Sequence, residues 1–110
     1  MNSDPQTGYV VAYTSDVSGF AFETFWGGTS FASPQMNGVT ALLSQGLHNR
    51  VGLLNISLYQ LAAGGRYHGH NAPLRDITSG DNWHWYAKPG YDQASGVGVP
   101  DVANLLEALE

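Results

Sequence analysis

Cysteine is absent from the 110 residues, which excludes disulfide bridges and thiolate metal sites and leaves no bridge pattern from which to read a redox compartment. Charge is scarce: Asp, Glu, Lys and Arg make up 12% of the chain, about half the usual share. Basic residues are scarcer still, four Lys and Arg against nine Asp and Glu, for a net charge of −5. Spread along the chain, they form no stripe able to neutralise a phosphate backbone, so no nucleic-acid partner is expected. Long apolar runs are also missing. None approaches the roughly 18 residues of a membrane span, so no membrane partner is expected. The polar opening Met1 to Pro5 carries no signal-peptide pattern, and any leader is expected upstream of this sequence.

What is present is apolar and loop-rich. Hydrophobic residues reach 43%, a balance that suits a buried piece of a larger body. The length suits one structural unit spanning residues 1–110. Gly8 to Thr14 and Phe20 to Trp26 are rich in β-branched and aromatic residues and flank the turn formers Ser15, Asp16, Ser18 and Gly19, so two strands joined by a loop are predicted. Between Thr24 and Asn49 there is no Asp, Glu, Lys or Arg. Ala32, Met36, Val39 and Leu43 recur there at helical spacing, predicting a helix from Ser30 to His48 that is buried on most sides. Pro34 requires that helix to begin close to Ser30, because its ring clashes with the carbonyl four residues back.

Asn55 is a suitable N-cap for a shorter helix carrying Ile56, Leu58, Tyr59 and Leu61. Gly64 to Gly98 reads as one long loop with Pro73, Pro89 and many glycines, and a loop of that length needs something to hold it. Pro100 and Asp101 then open a last amphipathic helix with Val102, Leu105, Leu106 and Leu109 on one face.

The candidate for chemistry is Ser30. Paired glycines lead into a serine at the start of a nearly uncharged helix, where unpaired N–H groups favour an oxyanion. A serine in that place is more often simply the N-cap. The longer run Gly27-Gly28-Thr29-Ser30-Phe31-Ala32-Ser33-Pro34, however, resembles the serine motif shared by subtilisins and sedolisins, which are built on one α/β scaffold. The base is a histidine in the first family and a glutamate oriented by an aspartate in the second, well upstream of the serine. Here the only acids before Ser30 are Asp4, Asp16 and Glu23. Glu23 alternates with Phe22 and Thr24 as a solvent-facing strand residue.

Further on, Arg75-Asp76-Ile77-Thr78-Ser79-Gly80, then Lys88-Pro89-Gly90-Tyr91-Asp92, then Ser95-Gly96-Val97-Gly98-Val99-Pro100 resemble the sedolisin calcium loop. The resemblance implies one structural Ca²⁺ held by the carboxylates of Asp76 and Asp92 and the main-chain carbonyls of Ile77, Lys88 and Gly90, with water completing a shell of oxygen donors. Lys88 stands where the family usually has glycine, and would be strained if that position needed a positive φ. Asp4-Pro5-Gln6-Thr7-Gly8-Tyr9 resembles the stretch that precedes the serine in sedolisins.

The fold implied is α/β, the carboxy-terminal portion of a subtilisin-like parallel-sheet domain with a β-hairpin, the serine helix (motif 27–34), the calcium loop (75–100) and a C-terminal helix. The function implied is that of a secreted serine-carboxyl endopeptidase, or tripeptide-releasing peptidase, acting on peptides or proteins at acidic pH through an acyl-enzyme on Ser30. These residues alone, lacking the Glu/Asp base pair and the oxyanion aspartate, are expected to be inactive and to self-associate. Alternatives are a non-catalytic calcium-binding fragment or pseudo-peptidase, and a subtilisin-type protease. His68 and His70 read as surface residues and His84 as packing or a loop tip, with a transition-metal pair the remote alternative for the first two.

Overall fold

A computed structural model describes residues 3–110; Met1 and Asn2, the first residues of the polar opening, lie outside the described residues. The elements are β1 (Tyr9–Ser15), β2 (Gly19–Trp26), α1 (Thr29–Gly46), α2 (Leu54–Ala63), β3 (Leu74–Arg75), β4 (Val99–Pro100) and α3 (Val102–Leu109). Contacts gather in two units, one ending at Ala41 and one running Leu42–Glu110.

In the first unit β1 and β2 form the expected hairpin, closed at Ser15 opposite Gly19. The Ser15 hydroxyl accepts from the Val17 and Ser18 amides at 3.1 and 3.3 Å, so the turn formers act through a local side-chain cap. The register shifts between Tyr9 and Val11. An extra residue on β2 accounts for that shift, and Phe25 takes φ 67 there, as at a β-bulge. Both strand pairs among the described residues are antiparallel. For β1 and β2 this is the expected hairpin, because a short turn can only reverse the chain, whereas parallel neighbours need a long crossover.

α1 begins at Thr29, one residue before Ser30, with Pro34 inside it. The missing Pro34 N–H leaves the Ser30 carbonyl without its i+4 donor, a loss tolerated in the first turns. The apolar stripe is where the spacing puts it, since Ala32, Met36 and Val39 are half-buried and Leu43 is buried. Burial on most sides is not observed, and that expectation is corrected. Leu43 is the helix's only buried residue, because a single stripe meets the neighbours that these residues supply while the opposite face meets solvent. The helix ends in a Schellman turn: Asn49 N–H donates to the Ser44 carbonyl and His48 N–H to that of Gln45, both at 3.2 Å, with His48 left-handed at φ 52.

The second unit has a leucine core of Leu43, Leu54, Leu58, Leu74 and Leu105, closed by Pro73. α2 starts one residue before Asn55, at Leu54, with no side-chain cap. Gly52, at φ 66, makes the turn instead, its carbonyl accepting from Leu54 N–H at 3.1 Å. α3 follows the sequence closely. Asp101 caps it by accepting from Asn104 N–H at 3.1 Å, and Leu105 is fully buried. A Cβ at Gly46 would stand 2.7 Å from a Leu106 methyl, so glycine there lets the end of α1 approach α3. β3 and β4, two residues each, pair Leu74 with Pro100 and Arg75 with Val99. That pairing brings Leu74 and Arg75, inside the segment that reads as one loop, beside the two residues that follow it.

Candidate functional site

The serine loop is assembled from backbone contacts that glycine alone permits. A Cβ at Gly27 would lie 2.7 Å from Pro5 N and 2.8 Å from its Cα. One at Gly8 would collide with the Trp26 carbonyl oxygen. Gly28 takes φ 96 and donates to the Ser3 carbonyl at 2.6 Å. The Asp4–Tyr9 stretch therefore lies directly against the glycines before Ser30. Asp4 shapes that stretch by accepting from Gln6 N–H at 3.0 Å and from the Thr7 hydroxyl at 2.7 Å. The Thr7 hydroxyl, followed by the Gln6 amide, holds the Asp4 carboxyl below the usual carboxylate range. Aromatic packing fixes the helix start: Phe31 stacks on Tyr9 at 5.6 Å and meets Trp26 at 5.8 Å, while Gln35 Nε2 donates to the Tyr9 hydroxyl at 2.7 Å.

Gly28, not Ser30, occupies the capping position, its carbonyl accepting from Phe31 N–H at 3.0 Å and Ala32 N–H at 3.4 Å. Ser30 is the second residue of α1 and exposed, where a backbone N–H has no intrahelical acceptor. The hydroxyl of Ser30 is thus not used as a cap. Glu23 is tied up elsewhere: one oxygen accepts from the Tyr13 hydroxyl at 2.6 Å and the other from Trp26 Nε1 at 3.1 Å. In the first unit, then, Ser30 is exposed in the first turn of α1, while Glu23 and Asp4 are held in local hydrogen bonds.

The loop of the second unit is organised by Asp92, which is 3% exposed. Its Oδ1 accepts from the Ala94 and Ser95 amides at 2.8 and 2.7 Å, and its Oδ2 from the Lys88 amide at 3.0 Å. The Ser95 hydroxyl lies 3.1 Å from both oxygens. These donors, the Lys88 amide first and then that of Ser95, hold the Asp92 carboxyl below the usual range, against the opposing effect of burial. Asp76 faces the same loop, its Oδ2 accepting from Gly90 N–H at 2.7 Å. Its Oδ1 is buried and has no hydrogen-bond partner.

Gly90 has φ 81, whereas Lys88 is not among the positive-φ residues. The lysine is therefore unstrained, and it is exposed. Gly98 is held at φ 79 with its α-carbon against the Arg75 carbonyl oxygen, where a Cβ would collide. The 92–98 turn thereby closes onto Asp76. Tyr91 packs on Tyr59 of α2 at 6.1 Å.

Residues of this loop fit a hard cation in one telling respect. Asp76 Oδ1 is a buried anionic oxygen with free lone pairs, and the carbonyls of Ile77, Lys88 and Gly90 accept no backbone hydrogen bond among the described residues. Asp92 is largely satisfied by its own turn, and Oδ2, which takes fewer of those hydrogen bonds than Oδ1, is the oxygen that could also face an ion. No group of three or more His, Cys, Asp or Glu side chains placed to hold a metal ion occurs among the described residues. His68 and His70 are exposed, and His84 packs edge-on against Trp85 at 4.9 Å. Trp83, beside it, is 99% exposed.

Because its folded value is lowered, the stability that Asp92 lends the loop is complete above the ordinary aspartate range and is lost only as pH falls through the lower folded value. Hydrogen exchange in the intact protein should show the Lys88, Ala94 and Ser95 amides protected throughout mild acid. Asp92→Asn should lower that protection at least tenfold, about the weight of one charge-assisted hydrogen bond. Loss of protection in the wild type already above the ordinary aspartate range would contradict this.

No family model matches the chain. Individual proteins do. Kumamolisin from Bacillus sp. (strain MN-32) is 35% identical over 114 residues, covering 98% of this chain and 18% of that protein. Xanthomonalisin from Xanthomonas sp. (strain T-22) is 35% identical over 83 residues, covering 72% of this chain and 9% of that protein. Tripeptidyl-peptidase sed4 from Aspergillus fumigatus is 31% identical over 109 residues, covering 76% of this chain and 17% of that protein. These relatives are serine-carboxyl peptidases. The chain belongs to their family, the sedolisins, and spans less than a fifth of the length of each of the three.

Proposed function

We propose that these residues form the carboxy-terminal, serine-bearing part of a peptidase domain that hydrolyses peptide bonds in acid, with Ser30 as nucleophile. The observation that carries this reading is the placement of Ser30: exposed at the second position of α1, with the capping role taken by Gly28. The Ser30 oxygen would attack the scissile carbonyl, and its proton would pass to a glutamate outside this chain and on to the leaving amine. The Ser30 N–H would donate to the oxyanion. Water then cleaves the ester and restores the serine.

Calcium, bound by Asp76, Asp92 and the carbonyls of Ile77, Lys88 and Gly90, would supply positive charge to two converging carboxylates and remove loop entropy. In this reading the two units are parts of one α/β, subtilisin-like domain. The rest of that domain would cover Val10, Phe20, Phe22 and Phe25, each exposed by 65% or more; left uncovered, such a face favours self-association. Substrates would be peptides or proteins, met outside the cell as the resemblance implies. No described helix is long and apolar enough to cross a membrane.

The second reading is a calcium-stabilised, non-catalytic homologue, favoured by one observation: Glu23 and Asp4 are committed to structural hydrogen bonds. A subtilisin-type protease with a histidine base is the lesser alternative. Peptide hydrolysis by the intact protein, followed from acid to neutral pH, separates the three. Activity confined to acid supports a carboxylate base, activity rising toward neutrality indicates a histidine, and no hydrolysis at any pH leaves the non-catalytic reading.

A further inference from the structure

Two side-chain polar atoms of the second unit are buried without a hydrogen-bond partner: the Tyr67 hydroxyl and Asp76 Oδ1. One can donate and the other can only accept, yet no direct bond joins them. The charge of Asp76 acts on the Tyr67 hydroxyl. Burial, and after it the Asp76 charge, raises the Tyr67 hydroxyl above its ordinary range and so keeps it protonated and able to donate. A buried donor and a buried acceptor each carry a desolvation cost when left unpaired. A single small polar group bonded to both would remove both costs.

The chain around Tyr67 holds it in place. At the end of α2 the Arg66 N–H donates to the Leu61 carbonyl at 3.1 Å, and the Tyr67 N–H donates to that of Gly65 at 2.8 Å, with Gly65 at φ 68. α2 therefore fixes where the tyrosine leaves the backbone. Asp76 is gripped from one side only, by Gly90 N–H on Oδ2, so the direction of its other oxygen still needs a determinant. Tyr67 lies in the Arg66–Leu74 stretch that none of the motifs explains.

We infer that Tyr67 is a positioning residue for the Asp76 cation site: its hydroxyl holds Oδ1 of Asp76, through one intervening water, in the direction that faces the ion. This rests on the calcium reading above. Partners of ligating carboxylates commonly set metal affinity in this way. Here the partner arrives from a helix end rather than from the loop itself.

The test is Tyr67→Phe in the intact protein, with calcium affinity measured by titration calorimetry and melting measured in chelator and in calcium. The ring keeps its shape and only the buried hydroxyl is lost. Melting in chelator should therefore be unchanged or slightly raised, while calcium binding weakens by about tenfold or more. Asp76→Asn should weaken it further, and adding Tyr67→Phe to Asp76→Asn should then change little, because the hydroxyl acts through that carboxylate. Wild-type calcium affinity in Tyr67→Phe overturns the inference and leaves the calcium reading standing. A wild-type protein that binds no calcium overturns both.

Discussion

Ser30→Ala in the intact protein is expected to cut peptide hydrolysis on the order of 10⁵- to 10⁶-fold, the usual consequence of removing a nucleophile from a concerted catalytic group. Stability should stay within about 0.5 kcal/mol of wild type. The two halves of this result are independent, and together they are diagnostic. Were Ser30 a helix cap, its loss would cost about 1 kcal/mol. The capping position belongs to Gly28, and Ser30 is exposed on the helix's first turn. Melting curves and rates on one peptide substrate read both halves. An unchanged rate would remove the catalytic role, and a large drop in melting temperature would restore the structural one.

Gly98→Ala is expected to cost about 2–5 kcal/mol. Two effects add: a left-handed backbone costs a non-glycine residue about 1–2 kcal/mol, and forcing a methyl into filled space costs about 1–3 kcal/mol. Gly98 sits at φ 79, and its Cβ would run into backbone, the Arg75 carbonyl, which cannot swing aside as a side chain can. Strain there would be passed to Asp76, whose carbonyl neighbour is the obstacle, so calcium binding should weaken along with melting. Gly96→Ala is the control. Gly96 has φ 65 but open space around its α-carbon, so it should bear only the first cost. Equal effects at the two positions would show that the collision is unimportant.

Local rules made much of this fold legible. The hairpin ends where its turn formers are, the stripe Ala32, Met36, Val39 and Leu43 is the covered side of α1, and Asp101 caps α3. What the sequence hid is set by contacts distant along the chain. The β3–β4 ladder joins Leu74 to Pro100, and two-residue strands carry no alternation from which to read them. α2 begins by a backbone turn at Gly52 rather than by a side-chain cap at Asn55, so a capping rule misplaces its start by two residues.

The same division runs through the candidate site. Ser30, Asp76 and Asp92 stand out because their motifs are contiguous. The seating of Pro5 on Gly27 and the closure of Gly98 on Arg75 do not, because each joins residues distant along the chain. Tyr67 gave no signal in the sequence, since only burial shows its hydroxyl to be unpaired. The strain that a positive φ would bring to Lys88 is absent: the left-handed residue of this segment is Gly90, two residues on.

The central claim is that Ser30 carries the acyl group during peptide hydrolysis. Quenching the intact protein with acid during turnover of a slowly deacylating ester substrate, followed by mass analysis of the proteolytic fragment containing Gly27 to Pro34, tests it directly. The account predicts an added acyl mass on Ser30 that decays as product accumulates. Turnover with that fragment unmodified throughout, or with the acyl group on another residue, would contradict it.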